Sequence, residues 1–127
     1  MTLGEYLRAA ASLRHEWGVN DCCTFPAGWI ACQTGGNPMA AASYASEAEA
    51  NAMVAGAGGM VALWSTWLAG HAERCPIEAG AIGVVSFPFG ELGGIYSGER
   101  WVFLGERGIH ALPVPDDRVL ATWRARG

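Results

Sequence analysis

The chain has 127 residues and a mass of 13.4 kDa, the size of one domain able to bury roughly two thirds of its unfolded surface around a single core. Hydrophobic residues make up 51% and charged residues only 16%, against roughly a quarter in ordinary domains, which excludes a disordered tail or a highly charged module. All 8 basic residues are arginine and the net charge is -4, so no electrostatic grip on nucleic acid or anionic lipid is expected.

A surface this short of charge suggests that a partner covers part of it. Glu5, Arg8 and Arg14 interrupt the apolar positions of the first 16 residues, so no signal peptide is expected. The charge-free stretch 50–70 has Ala-Gly-Ala-Gly-Gly at its centre and reads as buried helices, with no membrane insertion expected. Of the cysteines, Cys22, Cys23, Cys32 and Cys75, reduced thiols are expected, with Cys32 in the core. There is no C-x-x-C pair. His71 and Cys75 are spaced one helical turn apart but lack a second pair, so neither a structural metal nor a cofactor is expected.

Taken along the chain, Thr2 is a candidate cap for a first helix over residues 2–13, with Leu3, Tyr6, Leu7, Ala10 and Leu13 on one stripe. Asn20 and Asp21 cap a second helix with Phe25, Trp29 and Cys32 on its apolar side, ending at Gly35-Gly36. Pro26 fits only the first turn, so regular helix should start around residues 23–25, with Cys22 at or just before that end. Gly28 marks a place for close approach by a neighbouring element. An acidic first turn after Ser46 starts a third helix running to about Ala55, and residues 60–68 form a fourth. Residues 81–87, 93–97, 100–104, 108–112 and 119–123 are short β-rich runs between turns. Helices followed by strands predict an α+β fold in one domain, 1–127, with a helical part over about 1–72 and a sheet part over about 77–123.

The most informative segment is Trp17-Gly18-Val19-Asn20-Asp21-Cys22-Cys23-Thr24-Phe25. A cysteine at a helix N-terminus sits among unpaired backbone amides and the positive end of the dipole, which favours the thiolate. The plainer reading makes Cys22 and Cys23 small hydrophobes packed beneath tryptophans.

The string W-G-x-x-D-C-C-x-F, followed by an apolar helix, resembles the nucleophile segment of the NlpC-type cell-wall cysteine endopeptidases, a papain-like family, and is closest to a small phage tail-associated branch. The resemblance implies N-terminal helices packed on a small antiparallel sheet, with Cys22 as the nucleophile toward peptidoglycan stem peptides. The family's H-V-G-I-Y strand has its counterpart in Leu92-Gly93-Gly94-Ile95-Tyr96. Leu92 therefore stands where the family keeps its general base, and Phe103 or Leu104 where it keeps the orienting residue. Without a proton donor for the leaving amine, acyl transfer at Cys22 is impaired. His110, on the following strand, is the candidate replacement base; His15 and His71 are weaker. Asp21 is either the helix cap or an electrostatic neighbour of the thiol. The six tryptophans read mainly as core or interface anchors.

Three functions follow as expectations. The first is a structural component of a phage tail tip or baseplate, or of a tail-like gene-transfer particle, built on a catalytically degenerate NlpC-like fold. Its partners would be other tail proteins, and its place the virion after assembly in the host cytoplasm. The second is an active peptidoglycan endopeptidase using Cys22 and His110. The third is a module that binds the cell wall or a tail protein.

Overall fold

The computed structural model describes residues 1–127, and its first helix starts where the sequence supplies a cap. Thr2 Oγ1 accepts the Glu5 N–H at 3.2 Å, and the Glu5 carboxylate accepts the Thr2 N–H at 3.0 Å, a reciprocal box that satisfies two otherwise orphaned donors. Helix α1 covers only Leu3–Ala10. It stops short of Leu13, which is exposed. The Ser12 hydroxyl donates to the Ala9 carbonyl at 3.0 Å, the local competition with helix that serine offers, and Glu16 then pairs with Asn20.

Helix α2 spans Thr24–Thr34 and ends on Gly35 at φ 80°, the left-handed conformation that glycine adopts at low cost. Its buried residues are Phe25, Pro26, Ala27, Trp29 and Ile30. Cys32 lies outside this buried set and is exposed rather than in the core. Tyr6 of α1 donates its hydroxyl to the Phe25 carbonyl at 2.6 Å, and a Cβ on Gly28 would collide with that hydroxyl. Gly28 is thus the point of close approach between α1 and α2. Helix α3, Glu47–Ala57, is capped by Ser46 through the Glu49 N–H at 3.1 Å. Helix α4 covers Met60–Leu68.

The strands are β1 Ala72–Arg74, β2 Ile82–Phe87, β3 Gly90–Tyr96, β4 Trp101–Gly105, β5 Gly108–Leu112 and β6 Val119–Ala125, with a single 3-10 turn at Asp116–Arg118 before β6. They form one antiparallel sheet in the order β1-β6-β2-β3-β4-β5. The fold is therefore α+β. The sheet begins earlier than the expected residue 77, because Ala72, Glu73 and Arg74 pair with Ala125, Arg124 and Trp123 of β6. The His71 to Cys75 spacing accordingly lies along a strand and is not a helical turn.

The two-residue period of the strands divides the sheet into two faces. Ile82, Val84, Ile95, Val102, Leu104, Ala121 and Trp123 face the helices and join Phe25, Trp29, Ile30, Trp64 and Leu68 in the main core. Val85, Trp101 and Phe103 lie on the opposite face, packed against Ile77 and Val114. Helix α2 rests on β2, β3 and β6, which brings its first turn against the middle of β3. No helix is long and apolar enough to cross a membrane.

Candidate functional site

Asp21 organises the start of α2. It is 1% exposed, and burying a carboxylate is costly unless its lone pairs are filled. Here they are. One oxygen accepts the Cys23 and Thr24 N–H groups at 2.8 and 2.9 Å. The other accepts the Gly18 N–H at 2.8 Å and the Tyr44 hydroxyl at 2.7 Å. Thr24 Oγ1 in turn accepts the Asp21 N–H at 2.7 Å, closing a capping box, while the Asp21 carbonyl accepts the Phe25 N–H at 3.0 Å. Burial and the bond to Asp21 push the Tyr44 phenol well above its ordinary pKa, so it remains a donor. These are the bonds of a helix cap, and the same carboxylate is also a charged neighbour of the Cys22 thiol, whose pKa it raises.

Cys22 and Cys23 sit in the turn entering α2. Proline at position 26 has no N–H for the carbonyl four residues earlier, which is that of Cys22. This carbonyl points at β3 instead: a Cβ on Gly93 would collide with it and with the Trp64 indole ring. Only a residue without a side chain lets the helix start come so close to the strand. The Cys23 thiol, by hydrogen bonding to Cys22, is the main influence holding Cys22 below the ordinary thiol pKa; the Gly93 backbone N–H adds to it, while burial and the Asp21 carboxylate oppose. The same pairing, with burial, pushes Cys23 well above that value. The Trp64 indole N–H lowers Cys23 only in part and has no conventional hydrogen-bond acceptor of its own.

Both cysteines open on a cavity of about 490 Å³ walled by α3, α4 and the β2–β3 hairpin. Of its 17 lining residues 12 are hydrophobic, and none is a histidine. His110 is paired with Phe103 across β4 and β5. Directly opposed residues share a face, so its side chain stands on the face away from the helices, where it is exposed. The structure does not bring His110 to Cys22. His15 packs edge-on against Trp17, ring centres 4.7 Å apart, without lining the cavity. His71 lies against Gly36 at the far end of α2.

Leu92 shares the Val85 face, with which it pairs, although it also reaches the cavity lining. Its neighbour Gly93 is the β3 residue that meets Cys22. Neither position offers a proton acceptor. Phe103 and Leu104 are both buried, on opposite faces, and are equally unable to orient a base. Sequence reasoning missed Tyr44, the fourth partner of Asp21, and the cavity walls contributed by Met53, Trp67 and Phe89. Nothing in the loop around Tyr44 signals a contact reaching 23 residues back.

Residues 1–125 match the family described as Domain of unknown function (DUF6950). The chain belongs to that family. Neither a curated protein nor a solved structure matches it. In this DUF6950 domain, then, the chemistry has to be read from the site itself. Cys22 is held below the ordinary thiol pKa, chiefly by the Cys23 thiol, but expelling an amine from an acyl intermediate needs a proton donor close by. Asp21 is committed to four hydrogen bonds and Tyr44 to one of them; apart from the thiols, the remaining ionisable groups on the wall are the exposed carboxylates of Glu47 and Glu91, and no imidazole is among them.

Proposed function

We propose that this DUF6950 domain is a non-catalytic component of a phage tail tip or baseplate, or of a tail-like gene-transfer particle, built on a papain-like, NlpC-like framework that has lost its proton-transfer groups. The observation that carries the loss of catalysis is the cavity at Cys22, which has no imidazole on its wall. The resemblance of the Trp17 to Phe25 segment to cell-wall endopeptidases supplies the phage-tail setting. A surface with 16% charged residues fits a subunit held among neighbours.

Two measurements test this reading. Incubated with purified peptidoglycan, the protein should release no more soluble muropeptide than a Cys22→Ala variant. Cleavage lost in that variant would restore the endopeptidase with Cys22 as nucleophile. Purified particles from cells expressing the chain should retain it in fixed proportion to other tail proteins, and its absence from them would overturn the assembly role.

A further inference from the structure

The cavity beside Cys22 has a charge pattern that the capping of α2 does not require. Met53, Leu63 and Trp67 are among its apolar walls, the Asp21 carboxylate on its buried side is filled by its own hydrogen bonds, and Glu47 of α3 and Glu91 of β3 stand on its lining. Both glutamates are exposed. Neither joins an ion pair, since the pairs present link Arg124 to Glu73 and Glu78, and no arginine lines the cavity. An apolar hollow bordered by two unneutralised carboxylates attracts cations and repels anions. Phe89, 77% exposed at the hairpin tip, and Trp17 add aromatic faces able to receive a guanidinium or ammonium group.

We propose that this cavity is a docking socket for a basic segment of a partner protein. An apolar side chain of that segment seats among Met53, Leu63 and Trp67, and flanking arginine or lysine residues face Glu47 and Glu91. The volume, about 490 Å³, is that of an ordinary ligand cavity, roughly 300–1,000 Å³. The inference deepens the assembly reading by giving the chemistry of a partner, and it rests on that reading for the partner's setting alone.

The test uses two capped synthetic peptides of equal length, one with a Leu-Phe pair between two arginines and the other with the same pair between two glutamates. Binding is followed in low salt by fluorescence anisotropy and by the indole N–H resonances. The basic peptide should bind about tenfold more tightly than the acidic one, shift Trp17 and Trp67 but not the buried Trp101, and weaken as salt is added. Glu47→Gln combined with Glu91→Gln should shrink the preference to about twofold or less, with the circular dichroism spectrum unchanged. Trp67→Ala should weaken both peptides. The socket is overturned if the basic peptide does not bind, if both bind equally, if the shifts fall on another surface, or if a soluble muropeptide binds better. No particles enter this assay, so its failure leaves the assembly role standing, and loss of the chain from particles leaves the peptide result standing.

Discussion

At the scale of single residues, Asp21 is worth more to the fold than any catalytic part assigned to it. Asp21→Ala strands three backbone donors and the Tyr44 hydroxyl in a buried place, and removing one partner of such a buried charged network costs about 3–5 kcal/mol. Tyr44→Phe removes one bond to a charged acceptor and should cost about 1.5–3 kcal/mol. Denaturant unfolding of the two variants orders them, and a smaller loss for Asp21→Ala than for Tyr44→Phe would contradict the network. The thiols provide a second check. With Cys32 and Cys75 replaced by serine, the first thiolate absorbance should grow in at a lower pH than that of a free cysteine and the second at a higher one, because Cys22 is lowered and Cys23 raised. Falling pH reprotonates Cys22 as it passes that lowered value. Cys23→Ala removes the largest lowering influence and leaves burial, so the Cys22 step should move upward. An unmoved step would remove the hydrogen bond between the thiols from the account.

At the scale of elements, two glycines make opposite predictions. A methyl group on Gly93 meets the Cys22 carbonyl and the Trp64 ring, so Gly93→Ala forces α2 off β3 and should cost at least about 1–3 kcal/mol, the usual range for overpacking. Gly56 lies within α3 with open space around it, and Gly56→Ala should gain about 0.5–1 kcal/mol through helix propensity. A melting temperature that Gly93→Ala leaves unchanged or raises would contradict the packing of α2 on β3, and one that Gly56→Ala lowers would contradict the open helix surface at that position. The elements were largely legible in the sequence because their ends carry chemistry: Thr2, Asp21 and Ser46 each cap a helix, and Gly35 and Gly58 each end one. The three-residue β1, with Glu73 and Arg74 exposed, has no apolar alternation to announce it and exists through its pairing with β6. The cap of the candidate site was legible for the same local reason as the helix ends. Its cavity was not, since α3, α4 and the β2–β3 hairpin meet at Cys22 only through the tertiary fold.

At the scale of the whole molecule, the helices and one face of the sheet share a core, and the second face keeps a smaller cluster of its own. The shortage of charge noted in the sequence therefore has two destinations. Much of the apolar content fills these clusters. The remainder stays outside, with Phe89, Val19, Leu120 and Leu112 exposed, and Phe89 lies on the same cavity as Glu47 and Glu91.

The position of β6 has a consequence for how the chain folds. It is the last strand in sequence, yet it lies between β1 and β2. Until residues 119–125 have paired, β2 has one open side and β1 has no partner. Long-range pairings of this kind form late and slowly, so the nascent sheet spends that interval with an edge exposed to the matching strand of a neighbouring chain. Folding at high protein concentration therefore favours strand exchange between copies, whereas folding in dilute solution favours closure of each sheet by its own β6.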